Sequence, residues 1–129
     1  MEKFKHRGGS YSINYHIVFC PKRRKPVLVN DIATDCKTIL AETVAKVNGK
    51  IEALEVMPDH VHIFVSLHPK LSPHQLIKRL KGATSNALRK KFPQLLTIAA
   101  LWSSSYYVGT VGQVSESVVQ MYIEGQKGK

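Results

Sequence analysis

Two pairs of residues in this chain have the types and the spacing to do chemistry. The first is the histidine pair of Met57-Pro58-Asp59-His60-Val61-His62-Ile63-Phe64-Val65. On a β-strand, residues i and i+2 point to the same side, so His60 and His62 share a face with Cβ atoms about 7 Å apart. Two imidazoles at that separation can converge on one cation; two polar residues on a solvated strand face would give the same pattern. Asp59 is either a hydrogen-bond partner that orients a ligand imidazole or a plain turn carboxylate. The second pair is Tyr122 and Gln126. Four residues apart on a helix, they lie on one face. The tyrosine hydroxyl can act as a covalent nucleophile and the glutamine can offer a neutral oxygen ligand. A core aromatic beside an exposed polar residue at a helix end would look the same. If that helix packs over an open sheet face, Gln126 reaches the histidines. A three-ligand site then forms, with a nucleophile one helical turn away.

The elements that must hold these residues can be read from periodicity. Ser10 to Cys20 alternates, with Tyr11, Ile13, Tyr15, Ile17 and Phe19 on one face and Ser12, Asn14 and His16 on the other, which predicts a half-buried strand. Pro21 to Pro26 encloses a basic loop, Lys22-Arg23-Arg24-Lys25. A helix is expected from the capping candidates Asn30 and Asp31, with Ile32, Cys36, Ile39, Leu40, Val44 and Val47 as its apolar stripe and Gly49 as its C′ residue. Ile51 to Val56 and His60 to Leu67 read as a hairpin around Pro58-Asp59, with Val61, Ile63, Val65 and Leu67 facing the helices. Ser72-Pro73-His74-Gln75 predicts a capped helix start. From that helix Ile77, Leu80, Thr84, Ala87 and Leu88 face inward, and His74, Lys78, Lys81, Ser85 and Arg89 line another face. Leu95 to Leu101 is ambiguous. Tyr106 to Val111 reads as a fourth major strand, broken by Gly112, and Ser115 caps a last helix to about Gln126.

This order, β-α-β-β-α-β-α, is the ferredoxin-like split βαβ arrangement with a helix added. The expected class is α+β: an antiparallel sheet, helices on one face, and a C-terminal helix carrying the tyrosine. With 129 residues, one domain over 1–129 is expected, large enough for a core without disulfides. Lys and Arg number 19 against 9 Asp and Glu, a formal net charge of +10. That favours a polyanionic partner, nucleic acid first and an anionic membrane surface second. No apolar run approaches the roughly 20 residues of a membrane span, and Met1 to Ser10 lacks the apolar region of a secretory signal. Two cysteines, Cys20 and Cys36, are too few for a zinc ribbon and read as packing residues. A reducing cytoplasm is the expected location.

His60-Val61-His62 matches the histidine–hydrophobe–histidine (HUH) motif. The stretch Leu101-Trp102-Ser103-Ser104-Ser105-Tyr106-Tyr107-Val108-Gly109-Thr110-Val111-Gly112 is followed by Val114-Ser115-Glu116 and by Tyr122-Ile123-Glu124-Gly125-Gln126. Together with the opening Tyr15-His16-Ile17-Val18-Phe19-Cys20-Pro21-Lys22, it resembles the single-tyrosine HUH transposases, the TnpA type of the smallest bacterial insertion sequences. The likeness spans nearly the whole chain. It implies that His60, His62 and Gln126 are metal ligands and that Tyr122 is the nucleophile. It further implies a homodimer, recognition of hairpins near the element ends, and cutting of single-stranded DNA. Relatives commonly place an aromatic in the basic loop; Lys22-Arg23-Arg24-Lys25 has none.

Two imidazoles and an amide oxygen suit Mn²⁺ somewhat better than Mg²⁺, with zinc as a competitor. DNA contacts are expected from Lys22, Arg23 and Arg24 in the basic loop and from Lys78, Lys81 and Arg89 on the second helix. Trp102 either stacks on a base or fills the core. His16 either approaches the site or is structural. Two other functions fit the same residues: a non-enzymatic RNA- or single-strand-binding module on the ferredoxin-like frame, and a related HUH nuclease acting on chromosomal hairpin repeats.

Overall fold

A computed structural model of the chain describes residues 4–6, 9–110 and 116–128, with side chains described for 12–110 and 118–128. The strands are β1 (Phe4–His6), β2 (Gly9–Tyr11), β3 (Ile13–Phe19), β4 (Lys50–Met57), β5 (His60–Leu67) and β6 (Tyr107–Thr110). The helices are α1 (Asn30–Lys46), α2 (Pro73–Lys91) and α3 (Glu116–Gly125). Among them β3, β4, β5 and β6 form one antiparallel sheet in the order β4-β5-β3-β6, which is the ferredoxin-like order.

The expected strand Ser10 to Cys20 is divided. Its main part is β3, whereas Gly9–Tyr11 pairs with Phe4–His6 as a separate two-stranded hairpin. No sequence signal marks Phe4–His6. The segment Leu95 to Leu101 begins inside a short 3-10 turn, Pro93–Thr97, with Leu95 and Leu101 buried. The fourth strand begins one residue later than expected, at Tyr107. Val111, Gly112 and the expected cap Ser115 lie outside the described residues.

The alternation seen in the sequence decides how the sheet is used. Ile17 and Phe19 of β3 and Val61, Ile63, Val65 and Leu67 of β5 point to one face and are buried. There they meet Ile32, Cys36, Leu40 and Val44 of α1 and Leu76, Ile77, Leu80 and Leu88 of α2. The buried stripe of α2 differs at its edges from the expected one: Leu76 is buried and Ala87 is exposed. Val18 points to the other face, where Val119 and Ile123 of α3 cover it. Thus α1 and α2 layer one face and α3 lies on the opposite one.

The ends of α2 and α1 show local chemistry at work. Ser72 accepts from the Gln75 amide at 3.1 Å and the Gln75 side chain accepts from the Ser72 amide at 3.0 Å, a complete capping box. Helix α1 starts without a side-chain cap; Val29 is its N-cap residue, and Asn30 already has φ 53°. At its other end Asn48, not Gly49, takes the left-handed conformation, with φ 59°. Gly49 is needed for space instead: a Cβ there would lie 2.8 Å from Val44 Cγ1 and 3.0 Å from Leu67 Cδ2.

Candidate active site

The histidine half of the site is built by register. Val18 pairs with His62 across β3 and β5, and Met57 pairs with His60 across the two-residue turn Pro58-Asp59. His60 and His62 therefore stand on the sheet face opposite the main core. Their ring centroids are 4.7 Å apart at 76°. The leucine just before α1 fastens the turn, its Leu28 amide donating to the Pro58 carbonyl at 3.0 Å.

Each histidine has a partner for one nitrogen. Asp59 Oδ1 lies 2.7 Å from His60 Nδ1. With that carboxylate ionised, Nδ1 carries the proton and Nε2 keeps its lone pair. His62 Nδ1 lies 3.1 Å from His16 Nε2. For His62 to bind a cation through Nε2, its Nδ1–H must donate to His16. The remaining His16 proton then sits on Nδ1, a buried atom without a partner. Burial, and next the proximity of His60, push His62 below the usual imidazole range. Burial, and next His62, hold His16 down at about 4. Both rings are neutral at pH 7, the form that ligates metal. The donor chemistry thus fits a divalent cation at His60 and His62. Among the described residues no three His, Cys, Asp or Glu side chains are placed to hold one metal ion together.

The tyrosine half is built by α3 and the Ser103–Ser105 loop. Gln126 is buried. Its Oε1 accepts from Ser103 Oγ at 3.0 Å and from Ser105 Oγ at 2.7 Å. The Ser105 hydroxyl also lies 3.2 Å from the Tyr122 hydroxyl. Ser105 thus joins the two residues whose spacing suggested a shared function. Burial pushes the Tyr122 hydroxyl up to about 12, against the opposing effect of its Ser105 hydrogen bond.

Sequence reasoning does not single out Ser103 or Ser105, because their role depends on how the loop is held. Lys81 Nζ donates to the Ser103 and Ser105 carbonyls at 2.8 and 3.0 Å. The Ser103 amide donates to the Cys20 carbonyl at 2.9 Å. Trp102, 7% exposed, packs edge-on to Phe19 and donates from Nε1 to Thr84 Oγ1 at 2.9 Å. It is a core residue in this arrangement. Lys81 is half-buried, and burial lowers its ammonium pKa. Arg89 Nη1 donates to the Ile98 carbonyl at 2.9 Å.

His16 and Tyr107 stand between the two halves. The ring centroids run His62 to His16 at 5.3 Å, His16 to Tyr107 at 6.2 Å and Tyr107 to Tyr122 at 6.3 Å. His16 also stacks on Phe64 at 4.1 Å. Both halves occupy the same sheet face. In this arrangement the Gln126 oxygen is held by the two serines, and His16 and Tyr107 lie between Tyr122 and the histidines.

A family model described as Transposase IS200 like matches residues 9–126. The chain belongs to the IS200-like transposases. Members of this family cut DNA and transfer strands, so the catalytic class follows. The chain is 37% identical to the ISDra2 transposase TnpA of Deinococcus radiodurans, covering 100% of this chain and 94% of that protein. It is 31% identical to the transposase for insertion sequence element IS200 of Salmonella typhimurium, covering 90% of this chain and 78% of that protein. A crystal structure of a putative transposase from Deinococcus radiodurans superposes with TM-score 0.89 at 35% identity, covering 98% of this chain and 99% of that one. A REP-associated tyrosine transposase bound to a REP hairpin shares the fold, with TM-score 0.61 at 11% identity, covering 96% and 69%. This IS200-like transposase has the expected α+β class, a ferredoxin-like frame with an added C-terminal helix. No described helix is long and apolar enough to cross a membrane.

Proposed function

We propose that this IS200-like transposase cuts and rejoins single-stranded DNA at insertion-sequence ends through a 5′-phosphotyrosine on Tyr122. The observation that carries the reading is that α3, which bears Tyr122 and leads directly into Gln126, packs on the same sheet face as His60 and His62. His60 and His62 would hold the cation, Mg²⁺ or Mn²⁺, and Gln126, whose oxygen here accepts from Ser103 and Ser105, would be the third ligand. When bound, the cation withdraws charge from the nonbridging oxygens of the scissile phosphate.

Tyr122 Oη attacks phosphorus and the bond from phosphorus to the 3′ oxygen breaks. The phenolic proton leaves through the Ser105 hydroxyl to solvent, and the 3′ oxygen takes up a proton. A 3′-hydroxyl attacking the adduct forms a new phosphodiester and releases the phenol, so rejoining needs no ATP. One nucleophilic tyrosine per chain, Tyr122, means that two coordinated cuts use two chains, which supports a homodimer. Hairpin DNA is the expected partner, as in the REP-bound relative of the same fold. The 1–129 chain acts as one domain. The reducing cytoplasm fits two buried, unpaired cysteines.

Strand capture falls to the exposed basic groups. Lys78 lines a groove of about 380 Å³ with His74, Lys81, Ser85 and Tyr106. A second groove of about 520 Å³ continues it past Gly82 and Ser85 to Arg89 and Lys90. Lys22 and Arg23 add phosphate contacts from the basic loop. Lys81, Arg89 and Arg24 shape these surfaces through their internal bonds.

The test is incubation with single-stranded hairpin DNA and Mn²⁺, followed by denaturing electrophoresis. A covalent protein–DNA band is expected that vanishes with chelator and with Tyr122→Phe. His60→Ala or His62→Ala should abolish the band and spare hairpin binding. Binding by the unaltered chain without any adduct would favour a non-enzymatic binding module.

A further inference from the structure

Arg24 belongs to the basic loop that the sequence assigns to DNA, yet its side chain turns inward and is 16% exposed. The backbone is shaped to aim it there. Arg23 and Arg24 both have positive φ, 59° and 54°, a conformation that costs side-chain-bearing residues energy and persists only where the surroundings enforce it. Three main-chain bonds do so: the Arg24 amide to the Pro21 carbonyl at 2.8 Å, Lys25 to Lys22 at 3.2 Å and Lys22 to Leu101 at 2.9 Å.

The guanidinium makes contacts in two directions. Its Nε reaches Asp59 Oδ2 at 3.1 Å, and the other oxygen of that carboxylate holds His60 Nδ1 at 2.7 Å. Its Nη1 reaches the Ile123 carbonyl and Glu124 Oε1, each at 3.4 Å. Ile123 carries one of the last four carbonyls of α3, where an approaching cation is favoured. Glu124 is 59% exposed, so that pair contributes little by itself. The pair with Asp59 and the bond to the helix end matter more. Tyr122 is the residue before Ile123. One side chain therefore joins the tyrosine helix to the carboxylate that orients a candidate ligand.

We propose that Arg24 is a positioning residue that couples docking of the tyrosine helix to the orientation of the histidine pair. The inference rests on reading His60 and His62 as cation ligands. Coupling is reciprocal: a cation that orders His60 and Asp59 must tighten α3, and a docked α3 must tighten cation binding. A lysine at position 24 would keep the charge, but its single ammonium cannot span carboxylate and helix end as the planar fork does.

The experiment uses the full chain and Mn²⁺ alone, without DNA. Mn²⁺ affinity is measured by calorimetry, and exchange of the α3 amides by hydrogen–deuterium mass spectrometry. Wild type should bind Mn²⁺ and show slower α3 exchange when loaded. Arg24→Ala and Arg24→Lys should each weaken Mn²⁺ binding about tenfold or more, the range for lost partners of metal ligands. Both should also speed α3 exchange in the metal-free protein and abolish its response to Mn²⁺. Asp59→Asn should lose Mn²⁺ affinity likewise. Unchanged affinity and exchange in both Arg24 variants, with wild type binding Mn²⁺, would overturn the coupling and leave the proposed function standing. No Mn²⁺ binding by wild type would overturn the cation site and the coupling with it. If Arg24→Ala fails to fold, Arg24→Lys decides alone.

Discussion

Tyr122 is poorly prepared to react while buried against Ser105. Its hydroxyl sits at about 12 because burial disfavours the phenolate, and the reference value is about 10. Below that pKa the phenolate fraction rises tenfold per pH unit. Single-turnover adduct formation is therefore expected to climb through pH 9 without a plateau. A plateau near pH 7 would show that another group takes the proton before attack. Ser105 is the residue to examine beside it, because one hydroxyl meets both Tyr122 and Gln126. Ser105→Ala should free the Gln126 oxygen on one side and alter the rate while leaving DNA binding intact.

At the scale of elements, α3 is held lightly. Val119 and Ile123 are its buried apolar residues among those described, worth about 3–6 kcal/mol together before the cost of ordering the helix. Val118 and Met121 remain exposed. A helix held this way can adjust enough to release the Gln126 side chain from Ser103 and Ser105 while the main core, which α1 and α2 build on the far side of the sheet, stays intact. The two glycines near those helices make opposite predictions. Gly49→Ala places a methyl group 2.8 Å from Val44 Cγ1 and should destabilise by about 1–3 kcal/mol. Gly82 lies inside α2, and a Cβ added there would meet nothing within 4 Å. Its change to alanine should stabilise by about 1 kcal/mol. Chemical denaturation of both variants checks the pair; a destabilised Gly82→Ala would mean that the groove it borders needs that gap.

For the molecule as a whole, the net charge of +10 overstates the basic groups free to meet DNA. Lys81 and Arg89 are tied to backbone carbonyls, Arg24 to Asp59, and Lys91 to Asp35 at 2.7 Å. Lys22, Arg23 and Lys78 are the better candidates for phosphate contact. Replacing Lys22 and Lys78 with alanine should lower the slope of log affinity against log salt by roughly 0.7 per lost contact on a single strand, with thermal stability unchanged. Arg89→Ala should instead lower the melting temperature, because the Ile98 carbonyl loses its partner. Fluorescence anisotropy across a salt series, with melting curves alongside, separates the two classes.

Much of this was legible in local pattern. Period-two alternation placed Ile17 and Phe19 opposite His16, and Ile63 opposite His62, because a strand's side chains can only alternate. Period 3.6 put Tyr122 and Gln126 on one helix face, and Ser72 with Gln75 announced a helix start because a capping box is closed within four residues. The sheet order followed from the sequence of elements, since short connections admit few topologies. What no local pattern carries is which partner a polar side chain finds. Arg24 reads as one more loop cation until a left-handed turn aims it at Asp59 and α3. Trp102 reads equally as a stacking platform or a core residue until Thr84 and Phe19 enclose it. Ser103 and Ser105 carry no role of their own in the sequence until Lys81 and Cys20 fix their loop beside Gln126. These contacts join residues up to 100 positions apart. They exist only because packing the sheet between two helix layers brings the chain's ends and middle to one face.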